Sequence, residues 1–301
     1  MRTGAVSRQS AKKCSTASMF VAKGGRMAME LEIREADGVK IRFAEAGQGA
    51  SETAILTSPW PESLLAFRKI WDRLVEQFHL IAIDLPGFGQ SERQLDLLSP
   101  PAMGEFLLQL VREWDLGPVH FVAQDVGTSA ALWAAARSPS AVRSLVVGGG
   151  GIAVPLQVGG SLKDIIEAPD MEGFRQIDSK EILGPTYDAM AGGPPSPDVR
   201  DDYLESYAGD RFVESARYVR TYPTELPNLA EKLPSIETPV QIVCGRDDPL
   251  VPMANQEFLH ERLPHSRMDL LPAGHFAWEE VPDLYGDVLT RWLSAGYREL
   301  A

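Results

Sequence analysis

Residues 119–133 read Val119-His-Phe-Val-Ala-Gln-Asp-Val-Gly-Thr-Ser-Ala-Ala-Leu-Trp133, and the residue best placed for chemistry is Asp125. Val119 to Ala123 has the character of a short buried strand, and Gly127 onward reads as the start of a helix. Between them the pattern is small–x–Asp–x–small, the layout of a sharp strand-to-helix turn that holds one side chain out over a sheet. The small residues let the two backbones approach closely. Serine is the common nucleophile at such a turn. A carboxylate there is a poor choice for attacking esters or amides, because the product would be a mixed anhydride. It can instead displace a leaving group from a saturated carbon, giving an alkyl ester that water then hydrolyses. The plainer reading of Asp125 is a helix N-cap, favoured by its side-chain oxygens and its charge. A second small–x–Ser–x–small pattern, Gly127-Thr-Ser129-Ala-Ala131, offers Ser129 as a rival nucleophile, one turn further along and inside the expected helix.

Two later positions could complete a proton-transfer set. The segment Gly245-Arg-Asp-Asp-Pro-Leu-Val-Pro252 follows an apolar strand and offers Asp247 or Asp248. His275, in Ala273-Gly-His-Phe276, lies 27 residues after Asp248. An Asp-Asp-Pro turn can be simple turn chemistry, and a loop histidine is commonly structural; the order nucleophile, acid, histidine is what raises them together.

The elements that must position these groups alternate. Glu30–Glu35 and Val39–Ala46 flank Asp37-Gly38 and read as a hairpin. Thr53–Leu56 is a third strand, Leu64–Phe78 has helical spacing and His79–Ile83 is a buried strand. Residues 101–114 form an amphipathic helix, and after the turn at Asp125 come a helix to about Arg137 and a strand Val142–Val147. From about Gly151 to Pro234 the alternation stops, and short helical pieces such as 201–207 and 211–222 replace it. It resumes with a strand Val240–Cys244, a helix Met253–Leu263, a strand Met268–Leu271 and a helix from Pro282 to about Ala295. The fold class is therefore α/β, a mostly parallel twisted sheet flanked by helices. Its core is residues 29–150 and 235–301, and 151–234 is an inserted helical cap. The run Gly148–Gly151 lacks a following Lys-Ser/Thr and is not a phosphate loop.

Composition narrows the partners. Of 301 residues 44% are hydrophobic and 24% charged, ordinary for a globular protein, and no apolar run reaches the length of a membrane span. The net charge of −13 argues against nucleic acid or an anionic membrane as partner. Two cysteines, Cys14 and Cys244, give no disulfide framework, and the five histidines are scattered with no zinc-like cluster. A reducing, cytoplasmic setting and a small-molecule substrate with no cofactor and no metal are the expectation; a homodimer stays open. Residues 1–28 carry six basic and no acidic residues. They lack a signal-peptide apolar region and are expected to be a disordered extension, either transit-like or preceding a true start at Met27 or Met29.

Four segments together resemble the α/β-hydrolase family over about residues 30–300: Ser58-Pro-Trp-Pro-Glu-Ser63, Asp84-Leu-Pro-Gly-Phe-Gly-Gln-Ser-Glu92, the turn at Asp125, and 245–252 with 273–276. An Asp at the turn is similar to the branch holding epoxide hydrolases and haloalkane or haloacetate dehalogenases, and Trp60-Pro-Glu-Ser63 looks most like the epoxide-hydrolase loop. The resemblance implies Asp125 as nucleophile, Asp248 rather than Asp247 as acid, His275 as base, and the backbone N–H groups of Trp60 and Val126 as the oxyanion hole. It also implies cap tyrosines that protonate the opened epoxide, and Tyr218 best matches the later one. The chain departs from the pattern at Ser58-Pro59, where His-Gly is usual, and in 168–174, where the first tyrosine has no counterpart. It also lacks the halide-donor Trp (Val126 stands there) and the haloacetate-type Arg after the Asp. The leading expectation is an epoxide hydrolase-like enzyme acting on a small hydrophobic molecule, with a dehalogenase second and a non-catalytic ligand-binding relative third.

Overall fold

A computed structural model describes residues 18–19 and 29–300. One sheet runs through the molecule in the order β1-β2-β3-β5-β4-β6-β7-β8-β9. The strands are β1 (Ser18–Met19), β2 (Glu30–Ala36), β3 (Val39–Ala46), β4 (Thr53–Thr57), β5 (His79–Ile83), β6 (Val119–Gln124), β7 (Val142–Gly148), β8 (Val240–Gly245) and β9 (Ser266–Leu271). β1 is a two-residue rung on Leu31 and Glu30; the rest of the extension expected over 1–28 lies outside the described residues. The eight longer strands make the body of the sheet. The β2–β3 hairpin is antiparallel, turning at Asp37 and Gly38, both with positive φ as a tight two-residue turn requires. β3 also pairs antiparallel with β5, and from β5 onward through β4, β6, β7, β8 and β9 the adjacent strands are parallel.

The central strands β6 and β8 are buried along their whole length, because helices cover both faces. The flanking helices are α1 (Trp71–Val75), α2 (Pro100–Glu113), α3 (Val126–Arg137), α11 (Ala254–Arg262), α12 (Ala277–Glu280) and α13 (Pro282–Ser294). The helix expected across 64–78 is instead a 3-10 turn, Leu64–Phe67, followed by the short α1. Between β7 and β8 lie only helices: α4 (Gly160–Glu167), α5 (Glu172–Arg175), α6 (Ser179–Asp188), α7 (Pro197–Ser206), α8 (Arg211–Ser215), α9 (Arg217–Arg220) and α10 (Tyr222–Ala230). Among the described residues, no helix is long and apolar enough to cross a membrane.

The inserted helices are tied to the sheet by a buried ionic knot. Arg42 of β3 makes a bidentate pair with Asp202 of α7, both contacts at 2.9 Å, and its Nε lies 3.0 Å from the Asp84 carboxylate. Asp202 also accepts from Ser63 Oγ (2.6 Å) and Gln90 Nε2 (2.9 Å). Burial would push the Arg42 guanidinium down, but Asp84 and Asp202 hold it above its ordinary value. Such a knot specifies where the insertion sits, because a misplaced α7 would leave a buried charge without its partner.

Candidate active site

The turn at Asp125 is strained in the way its sequence pattern implies. Asp125 has φ 53° and ψ −122°, between the last residue of β6 and the first of α3. A positive φ is uncommon for a residue with a Cβ and is held only when the surroundings dictate it. Here the surroundings are close: a Cβ on Gly127 would meet Thr57 Oγ1 at 2.3 Å, so glycine alone lets α3 start against β4. Asp125 makes no side-chain capping bond to α3. The carboxylate instead turns toward the loop after β4, where the Trp60 N–H donates to its Oδ2 at 2.6 Å. The capping explanation is thereby removed.

His275 and Asp248 meet Asp125 at the C-terminal ends of the parallel strands, the edge where open α/β sheets present ligand sites. His275 Nδ1 is 2.8 Å from Asp248 Oδ2, and its Nε2 is 3.9 Å from Asp125 Oδ1. Asp248 is oriented through its other oxygen, which accepts from Leu250 N (2.8 Å) and Val251 N (2.9 Å). Asp247 is exposed and faces Arg246. The two oxygens of Asp125 therefore differ: Oδ2 is held by a backbone donor, and Oδ1 faces the imidazole. Burial pushes the Asp125 carboxyl up to about 6, against the opposing pull of His275 and of the Trp60 and Val126 N–H groups. Burial alone would push the His275 imidazole down. The Asp248 carboxylate and its hydrogen bond, and then Asp125, overcome that and raise it to about 9.

Both groups open into a cavity of about 100 Å³. Its core side is Trp60, Pro61, Leu250 and Phe276, and its other wall comes from the inserted helices: Ser161, Leu162 and Ile165 of α4, Phe174 of α5, Ile182, Leu183 and Thr186 of α6, and Phe212 of α8. Apart from Asp125 and His275 no ionisable side chain lines it among the described residues. No group of His, Cys, Asp and Glu suited to a metal ion is found among those residues.

The loop carrying the Trp60 N–H is held from several directions. Trp60 Nε1 donates to Ser215 Oγ at 2.9 Å while its ring stacks on Phe212 at 5.6 Å. Tyr187 donates to the Pro61 carbonyl, and Tyr207 to the Glu62 carbonyl at 2.8 Å. Pro59 lacks an N–H, yet the altered Ser58-Pro59 leaves the next N–H in place. Val126, the second expected donor, follows Asp125 directly in the chain, and its backbone N–H favours the ionised form of the same carboxyl.

Tyr218 is not where the sequence reading puts it. Its hydroxyl donates to the Val126 carbonyl at 3.0 Å and lies 3.1 Å from Ser129 Oγ, and it does not line the cavity. Its spacing from Asp248 points to the right stretch of the insertion and says nothing of the direction of the side chain. Ser129 sits within α3, with its hydroxyl turned to Tyr218 and the Val126 carbonyl. Sequence reasoning missed Glu62 and Trp278. Trp278 packs edge-on to His275 (6.1 Å) and donates from Nε1 to Glu62 Oε2 at 2.7 Å. Glu62 Oε1 has no partner among the described residues, and burial pushes this carboxyl well above its ordinary value. The Trp278–Glu62 contact joins residues 216 positions apart, and no local pattern encodes it.

A family model described as the alpha/beta hydrolase fold matches residues 56–282. This chain belongs to that family. It is 25% identical over 275 residues to an Escherichia coli 2-hydroxy-6-oxononadienedioate/2-hydroxy-6-oxononatrienedioate hydrolase, covering 85% of this chain and 91% of the relative. Among solved structures, the epoxide hydrolase CorEH matches with a TM-score of 0.74 at 20% identity, over 88% of this chain and 98% of that one. The haloalkane dehalogenase DatA from Agrobacterium tumefaciens matches with a TM-score of 0.74 at 19% identity, over 88% and 96%. At such identity the two structures share the fold. Membership in the family supports hydrolase activity.

Proposed function

We propose that the protein is a cofactor-free hydrolase in which Asp125 attacks a saturated carbon, with epoxides as the leading substrate class and the helices of 151–234 acting as a cap over the cavity. The observation that carries this is the two-sided setting of Asp125: Oδ2 against the Trp60 N–H at 2.6 Å, Oδ1 toward His275 at 3.9 Å, in a cavity otherwise lined by neutral side chains. Attack by Oδ1 would leave an alkyl ester whose carbonyl oxygen, Oδ2, already accepts from the Trp60 N–H. His275 then takes a proton from water, the hydroxide adds to the ester carbonyl, and the developing charge falls on Oδ2. Asp248 orients the imidazole and stabilises its cation.

The cavity also speaks to the substrate. Among the described residues no Lys or Arg lines its wall, and the one cation there, the His275 imidazolium, already faces the Asp125 and Asp248 carboxylates, so a substrate carboxylate would add a third acid to the same ring. A haloacetate, or a dioate like that named for the E. coli relative, is a poor match. Its volume is below the roughly 150 Å³ that holds a benzene, which favours a small neutral, mostly apolar electrophile. The second reading, a haloalkane dehalogenase, draws on one observation: no tyrosine hydroxyl reaches the cavity, and a halide leaves without needing a proton.

The test is covalent trapping. A His275→Gln variant incubated with small alkyl epoxides and alkyl bromides, then weighed intact and as peptides, is expected to gain a substrate-sized mass on Asp125. The Asp125→Asn variant is expected to gain none. Folded protein that binds these compounds and yields no adduct on Asp125 in any variant would sink the nucleophile assignment.

A further inference from the structure

Opening an epoxide leaves an alkoxide that must be protonated, and the insertion's tyrosines are otherwise engaged. Tyr187 donates to the Pro61 carbonyl, Tyr203 to Glu279 Oε1 at 2.8 Å, Tyr207 to the Glu62 carbonyl and Tyr218 to the Val126 carbonyl. Tyr222 is buried against Gly151 and Tyr218. None of the five lines the cavity. The cavity's hydroxyls, Ser161 and Thr186, can hydrogen-bond an alkoxide but are too weakly acidic to be its proton source.

One proton on the cavity wall is differently placed. The His275 ring lies between two buried carboxylates, Asp248 at 2.8 Å from Nδ1 and Asp125 at 3.9 Å from Nε2. The remaining titratable group near it, Glu62 beyond Trp278, is also an acid. The other neighbours of the ring are the aromatic edges of Phe276 and Trp278. No cation opposes a proton on the imidazole from within the cavity wall.

We propose that His275 serves both halves of the reaction: as imidazolium it protonates the leaving epoxide oxygen through Nε2, and as the neutral imidazole so produced it deprotonates the hydrolytic water. This rests on the nucleophile reading above. In the first step the Asp125 Oδ1–carbon bond forms and the carbon–oxygen bond of the ring breaks. The electron pair passes to the ring oxygen, which takes the Nε2 proton. Loss of the Asp125 charge on esterification also removes part of what held that proton, so the ring becomes a base when a base is needed. In the second step water gives a proton to Nε2, and its oxygen adds to Cγ of Asp125. The tetrahedral species expels the diol's oxygen, which takes the proton of the new Asp125 carboxyl. Epoxide and water have become a diol, and Asp125 and His275 are back in their starting charge states. The five tyrosines are then structural or positioning residues.

The experiment compares two electrophiles that need the same nucleophile but differ in the need for a proton, 1,2-epoxypropane and 1-bromopropane, both small enough for the cavity. With enzyme in excess, electrophile loss is followed by gas chromatography from pH 6.5 to 10, and Asp125 labelling by mass. In the wild-type protein the epoxide rate is expected to fall about tenfold per pH unit above pH 9, where His275 loses its proton, while the bromide rate stays level. In His275→Gln the ratio of epoxide to bromide labelling, measured at one pH, is expected to fall at least about 100-fold, as loss of a general acid implies; the ratio cancels any change in Asp125 ionisation common to both electrophiles. Equal epoxide labelling with and without His275, or parallel pH profiles for the two electrophiles, would overturn the dual role and leave Asp125 as nucleophile. Loss of the epoxide reaction alone in Tyr218→Phe would return the acid role to that tyrosine. Labelling of Asp125 by neither electrophile, in folded protein, would remove this inference together with the nucleophile reading.

Discussion

Replacing Asp248 by Asn tests the electrostatics of the site without needing a substrate. The His275 imidazole stands at about 9 against an ordinary 6.5 despite full burial, because carboxylates face both nitrogens. At about 1.4 kcal/mol per pH unit this is on the order of 3 kcal/mol of preference for the cation. Asp248, in direct contact at 2.8 Å, supplies the larger share and Asp125 the smaller. Removing the Asp248 charge should therefore lower the midpoint by more than one pH unit, since burial then meets less opposition. The Asp248→Asn change is close to isosteric. The new amide oxygen can still accept from Leu250 and Val251, which turns the amide NH₂ toward Nδ1 and leaves the neutral ring's proton on Nε2, the wrong nitrogen for a base. The assay is an NMR titration of the His275 ring in both proteins, with turnover measured alongside on any substrate found by trapping. A loss of turnover on the order of 10⁴ is expected from the wrong tautomer. A midpoint that stays near 9 in the Asp248→Asn variant would refute the assignment of Asp248 as the dominant source of the shift.

Three further outcomes are expected. Alkylation of Asp125 by an alkyl bromide needs the ionised carboxylate; burial raises that group to about 6, so the labelling rate should climb through pH 6 and level off above it, and a climb centred near 4 would show that the site is wetter than its burial indicates. Ser129→Ala should leave turnover within about twofold, because the hydroxyl points to Tyr218 and a backbone carbonyl; abolished turnover would make Ser129 the nucleophile. Asp202→Ala should lower the unfolding free energy by about 3 kcal/mol or more, read as a drop in the urea midpoint, because Arg42 keeps its burial and loses its bidentate partner. A change under about 1 kcal/mol would mean that water or Asp84 alone satisfies Arg42.

Much of the architecture was readable in order along the chain. Strand and helix periodicities placed β6, β7, β8 and α13 within a residue or two, because each buries one face or both and its sequence must say so. The Leu64–Phe78 stretch failed for a related reason: its apolar residues have helical spacing, yet the chain there makes a 3-10 turn and only five residues of helix. The small residues about Asp125 likewise announced a tight turn, since only glycine at position 127 fits beside Thr57.

The side-chain directions of the insertion were not readable. Tyr187, Tyr203, Tyr207 and Tyr218 are all candidate acids by residue type and position, and each hydroxyl is committed to an acceptor fixed by a distant element. Glu62 and Trp278, or Trp60 and Ser215, pair across 216 and 155 residues. The strands, the strained turn and the residue types that could act there are legible along the chain, because they depend on neighbours within a few positions. Which carboxylate faces the imidazole, which N–H holds Asp125 and which hydroxyls are spent follow from the packing of distant elements. Those depend on how the helices of 151–234 come down on the sheet, a placement set by buried charges such as Arg42 and Asp202 finding each other across 160 residues.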